Sequence, residues 1–100
     1  STVKLEAYLN KKRVLGASIQ NQIETTAQEN QKRLKKERIF WKGFLSQNPT
    51  YFDGWIELIN IELGLNNKEA ATSALEKAKE VNPNSSKLGS SENAFRLLLP

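Results

Sequence analysis

The stretch Phe52 to Ser85, FDGWIELINIELGLNNKEAATSALEKAKEVNPNS, decides the reading of this chain. Trp55, Leu58 and Ile59 recur at the three-to-four residue interval of one helix face, and Ala71, Leu75 and Ala78 do so further on. Turn chemistry brackets both runs. Asn48, Pro49 and Thr50 form a stop and restart signal, Asp53 is placed to cap or charge-complement the next helix N-terminus, and Gly64 to Asn67 supply turn residues. Asn82, Pro83 and Asn84 end the second run, because proline lacks the amide proton a continuing helix needs and disfavours helical geometry just before it. The spacing therefore predicts one helix from about Phe52 to Leu63 and a second to about Val81. Asn67 is expected to cap the second helix, with Glu69 in its first turn, and Ala70, Ala71, Ala74 and Ala78 to permit close approach of the pair.

In order and spacing, Trp55, Leu58, Ala71, Leu75, Ala78 and Pro83 resemble one tetratricopeptide repeat (TPR), a family with a period of about 34 residues. The likeness covers about a third of the chain. Ile59 stands where the family usually has a small residue and Glu62 where it usually has a tyrosine. A Trp followed seven residues on by Glu is also similar to the half-a-TPR repeats of RNA-processing scaffolds. The resemblance implies a helix hairpin that takes a protein or peptide on its concave side, where Asp53, Ile56, Glu57, Asn60 and Gly64 lie away from the Trp55 and Leu58 face. Asn60 resembles the asparagine that often grips a peptide backbone in that family. The several basic residues of a carboxylate-gripping site are not identifiable, so recognition of a C-terminal carboxylate is not expected.

The same offset carries the pattern upstream. Pro49 precedes Pro83 by one period and Trp41 falls opposite Leu75, so the segment before Pro49 takes the role of a preceding second helix. Glu37 and Phe44 stand at the places of Ala71 and Ala78. Phe40, Trp41, Phe44 and Leu45 are thus expected to form a bulky plug against Trp55 and Ile59, with Trp55 as the wedge between long helix and hairpin.

From about Thr2 to Gln47 there is no proline, and Gly16 and Gly43 are the only glycines. This predicts one long helix, since an isolated glycine costs only about 1 kcal/mol and no turn cluster surrounds Gly16. A hairpin broken at Gly16 is the competing arrangement, because Val14, Leu15 and Ile19 cluster there. Leu5, Leu9, Lys12, Gly16, Ile19, Ile23, Thr26 and Asn30 follow alternating spacings of four and three, the seam of a coiled coil. Continuation to Leu34, Glu37, Trp41 and Phe44 requires an extra step of four, a stutter. Thr26 and Asn30 either specify register as buried polar residues or stand in an exposed middle of the helix.

At the other end, Ser85 to Ser91 reads as a polar linker, and Ser90 or Ser91 as the cap of a short helix containing Ala94, Phe95, Leu97, Leu98 and Leu99. That helix is expected either to fold onto Ala70, Ala74 and Leu75 or to dock in the groove of a neighbouring subunit. The chain is accordingly read as all-α: residues 1–48 a long coiled-coil-like helix, residues 49–84 a TPR-like hairpin, and residues 85–100 a linker with a short capping helix.

Composition narrows the function classes. There is no His and no Cys among the 100 residues, so the common nucleophile and base pairs, thiolate metal sites and disulfides are excluded. The five glycines are isolated, leaving no phosphate loop, and no calcium-loop spacing occurs. Neither an enzyme nor a cofactor is expected. Residues 1–50 carry ten Lys and Arg against four Glu, and residues 51–100 carry five against seven acidic residues, so the net charge of +4 comes from the first half. Lys32, Arg33, Lys35, Lys36, Arg38 and Lys42 spread around a helix without interleaved aromatics, so a nucleic acid is not expected as the partner. No stretch approaches a membrane span or a signal segment. The chain starts without Met, which leaves an upstream anchor open and a cytoplasmic location as the default expectation. The composite expectation is an interaction scaffold for a protein or peptide that forms a homo-oligomer through Leu5, Leu9, Ile19 and Ile23, or through Phe95, Leu97, Leu98 and Leu99. A self-assembling filament or oligomer subunit is the second reading, and an RNA-associated repeat module the third.

Overall fold

The structure, a computed structural model, describes residues 2–98, with the side chain of Leu98 outside that description. The described residues form four helices, α1 (Thr2–Gln47), α2 (Phe52–Gly64), α3 (Lys68–Val81) and α4 (Lys87–Leu98), and no strand. The long helix, both helices of the hairpin and the short terminal helix all follow the sequence expectation, and α1 runs through Gly16 without a break. The chain divides into two units between Asn30 and Gln31. The division falls inside α1, upstream of its end at Gln47.

Residues 2–30 are helix alone, and every one of them is exposed. In the second unit, residues 31–98, α2 is the central element. Three helices surround it, which explains why its buried residues, Gly54, Leu58, Ile59, Ile61 and Glu62, are not confined to one stripe. The core comprises Leu45, Leu58, Ile59, Ala74, Leu75, Ala78 and Leu88, with Trp41, Phe52, Trp55, Ile56, Leu63 and Phe95 packed around it. Ala71, Ala74 and Ala78 bring α3 close to α2, as their size requires.

The last third of α1 runs antiparallel along α2. Gln31 Nε2 donates to the Gly64 carbonyl at 3.1 Å, Arg38 Nε donates to Glu62 Oε1 at 2.7 Å, and Leu45 and Trp41 lie over Gly54. The side chains facing α2 are therefore Leu34, Arg38, Trp41 and Leu45. Phe40, expected in the plug, is 58% exposed. It lies about 100° around the helix from Trp41 and so points off the packed face. Its ring still meets Trp41 edge-on at 5.1 Å and stacks on Phe44 at 6.0 Å, and Tyr51 joins the cluster from the loop, stacking on Trp41 at 6.1 Å and meeting Phe44 edge-on at 5.3 Å.

Two glycines permit this crossing. A Cβ on Gly54 would lie 2.9 Å from Leu45 and from Tyr51 side-chain atoms, and one on Gly64 would lie 2.9 Å from Leu34. Gly64 is thus not the left-handed turn residue; that is Asn66, at φ 61°. The amides of Asn66 and Asn67 return to the carbonyls of Leu63 and Glu62, the paired bonds of a Schellman ending.

Two expected caps are corrected. Asn67 precedes α3, yet its side chain makes no bond to the helix N-terminus and donates instead to Glu62 Oε1 at 3.1 Å. The C-terminal linker is helical from Lys87: the Ser85 hydroxyl accepts from the Lys87 amide at 3.2 Å, so the cap lies upstream of Ser90 and Ser91. Ser91 is buried inside α4, which it tolerates because its hydroxyl donates back to the Lys87 carbonyl at 3.4 Å.

Gly54→Ala is expected to destabilise the protein by about 1–3 kcal/mol, since overpacking outweighs alanine's helix propensity. Gly43→Ala, where a Cβ would meet nothing within 4 Å, is expected to be neutral or stabilising by up to about 1 kcal/mol. Denaturant midpoints of the two variants check the contrast. Arg38→Met strands the Glu62 carboxylate, which is 2% exposed, and is expected to cost about 3 kcal/mol; the double variant Arg38→Met, Glu62→Leu recovers most of the loss in a double-mutant cycle.

Candidate interaction surface

The residues expected on a concave binding side occupy one flank of α2, and α4 lies against that helix. Asp53 is exposed but engaged, its Oδ1 accepting from Lys87 Nζ of α4 at 2.6 Å. Ile56 is half-buried and packs on the core. Glu57 and Asn60 are exposed. Gly64 lies against Leu34 and Gln31 of α1, so of the five only Glu57 and Asn60 are exposed without a partner among the described residues.

The face that α4 presents follows helical spacing. Leu88 and Ser91 are buried and Glu92 and Phe95 half-buried, at intervals of three, one and three residues. Two ion pairs flank this stripe, Lys87 with Asp53 of α2 and Lys79 of α3 with Glu92 at 2.9 Å. The Glu92 carboxyl is held below its ordinary range, first by the hydrogen bond with Lys79 and then by that ammonium's charge. Phe95 thus has a partner within its own chain. Leu97 is 85% exposed, and Leu99 and the Leu98 side chain lie outside the described residues.

On the opposite flank a trough crosses α2 between α1 and α3, a feature the sequence reading missed. Its larger part, about 750 Å³, is lined by Leu45, Pro49, Trp55, Leu58 and Val81, together with Lys42 and the Lys77–Glu80 ion pair. It continues past Glu62 and Ala74 as a second part of about 580 Å³. Trp55 is held there by its indole N–H, which donates to the Pro49 carbonyl at 2.8 Å. The expected wedge is therefore half-buried, with its ring bordering the trough. Alternating large and small residues on α2 and α3 were the available signal, but only the path of α1 decides that a gap remains.

The basic run is partly spent inside the chain. Arg38 is bound to Glu62, and Arg33 pairs with Glu37 one turn on at 3.0 Å. The remaining candidates, Leu5, Leu9, Ile19 and Ile23, are 45–58% exposed on the 2–30 segment, as are Val3, Tyr8, Val14 and Leu15 at 56–74%. On a helix of 100° per residue, Leu5, Tyr8, Leu9, Leu15, Ile19 and Ile23 fall within about 120° of arc. Val3 and Val14 lie on the other side.

Among the described residues, no helix is long and apolar enough to cross a membrane. Comparison of the chain with protein-family models, with curated proteins and with solved structures finds no match.

Acid is expected to loosen the attachment of α4. Because the folded Glu92 value is depressed, its contribution is whole above the ordinary value of 4.5 and is lost as pH falls through the lowered one. Denaturation midpoints of the natural chain and of Glu92→Gln should converge on acidification and differ at neutral pH.

Proposed function

We propose that this chain is a non-enzymatic protein–protein interaction scaffold that self-associates through residues 2–30 of α1. The supporting observation is the exposed stripe of Leu5, Tyr8, Leu9, Leu15, Ile19 and Ile23 on a segment with no buried residue. Isolated helices in water draw their stability from packing of an apolar face, and contiguous apolar patches on a surface mark association sites. A second chain supplies the missing cover. The long helix is preferred to the tail as the association element because Phe95 is already packed against its own core.

The hairpin of α2 and α3 is read as a TPR-like unit on the strength of its six sequence matches, and its partner as a protein or peptide. Glu57 and Asn60, exposed beside the attached α4, and the trough bordered by Trp55 offer that partner two surfaces.

Sedimentation equilibrium over a wide concentration range tests the association. A mass that plateaus at a fixed multiple of the single chain is expected, and Leu9→Lys or Ile19→Lys should return it to that of one chain without unfolding residues 31–98. A mass that keeps rising with concentration would favour the open-ended structural subunit. A single-chain mass at all concentrations, with concentration-independent melting, would overturn the proposal.

A further inference from the structure

Resting on that reading of α1, we infer that residues 2–30 pair with the same residues of a second copy in antiparallel orientation, about a two-fold axis that crosses the seam level with residue 14. Three observations carry this.

The first is the seam itself. Leu5, Leu9, Lys12, Gly16, Ile19 and Ile23 are symmetric about residue 14, so an antiparallel partner places Leu5 level with Ile23, Leu9 with Ile19 and Lys12 with Gly16. Each apolar residue meets another apolar residue. A parallel partner in register would instead stack Lys12 on Lys12 within the seam and leave a gap where Gly16 faces Gly16. Like charges in a seam repel, and a void forfeits the contacts of its lining.

The second is the use the chain makes of Gly16 and Lys12. A Cβ on Gly16 would meet nothing within 4 Å, so no packing inside the chain calls for glycine there. Opposite a lysine, the missing side chain leaves room for the four-carbon stem. The Lys12 ammonium already lies 5.4 Å from the centre of the Tyr8 ring, drawn to one side of the seam, which leaves only methylenes over the centre line.

The third is charge. Residues 2–15 carry Lys4, Lys11, Lys12 and Arg13 against Glu6, a net of +3, whereas residues 16–30 carry Glu24 and Glu29 and no cation, a net of −2. Antiparallel pairing sets a basic half on an acidic half twice. Parallel pairing sets like on like at both ends, at separations comparable to the Debye length of about 8 Å. Orientation and partner choice in helix pairs follow such patterns. Leu15 flanks the axis, on the same side of the helix as Tyr8, where it meets its own counterpart.

The chain has no cysteine, so each introduced thiol is unique. Full-length Leu9→Cys and Ile19→Cys chains, one of them isotope-labelled, are mixed under mild oxidation after sedimentation has established their association. The mixed disulfide should form in large excess, and each variant alone should remain a thiol, since Leu9 and its own counterpart would be about 15 Å apart along the axis. Self-linked Leu9→Cys and Ile19→Cys would show a parallel pair and overturn the orientation while leaving self-association intact. Association with neither link would overturn it equally, by showing that another surface or register is used. A single-chain mass would sink the self-association reading itself.

Discussion

The carboxylate of Glu62 lies at the meeting point of three pieces of this chain, and its burial constrains all of them. A carboxylate removed from water is costly unless charged or strongly polar donors surround it. Here one oxygen accepts from Arg38 of α1 and from Asn67 of the α2–α3 turn. The Asn67 amide also returns to the Glu62 carbonyl at 2.8 Å, so a single residue sets both the end of α2 and the start of α3. With Arg38 fixed against Glu62, α1 can slide along α2 in neither direction. Leu34 then falls over Gly64 and Leu45 over Gly54, the two positions where α2 has no side chain to displace them.

Because α2 is covered by α1, α3 and α4, its two flanks have different fates. On one, Leu88 and the ion pairs of Lys87 and Glu92 attach α4 beside Asp53, so that part of the flank first read as a binding side is already occupied. On the other, α1 and α3 diverge over Trp55 and leave a mainly apolar trough bordered by Lys42, Lys77 and Glu80. The aromatic residues ahead of the hairpin also divide. Leu45 enters the core with Trp41 against it, while the largely exposed Phe40 meets Trp41 edge-on and Tyr51 joins the ring cluster from the loop.

Within α1 one helix has two roles. From Thr2 to Asn30 every residue is exposed and, among the described residues, nothing covers the apolar stripe; from Gln31 the helix contributes to a core. The seam of fours and threes covers only the first of these, and the extra step near Leu34 marks the change. Polar Thr26 and Asn30 lie where the apolar stripe ends.

By itself the sequence determined the helices and most of their ends, because proline, capping residues and the period of apolar side chains act within a few residues of where they stand. Phe52, Val81 and Gln47 were legible for that reason, and so was the close fit of Ala71, Ala74 and Ala78. The partner of Glu62, the cover over Gly54 and Gly64, the early start of α4 and the trough beside Trp55 were not. Each depends on residues far apart in sequence: Arg38 and Glu62 are 24 positions apart, Asp53 and Lys87 are 34. Such pairs form only when the crossing of helices is set, and the crossing follows from which side chains are missing as much as from which are present. Asn67 illustrates the difference: its local chemistry suits a helix cap, and a buried carboxylate brought in by the tertiary fold outbids the helix terminus, since an unpaired charge in the core costs more than an amide that water can reach.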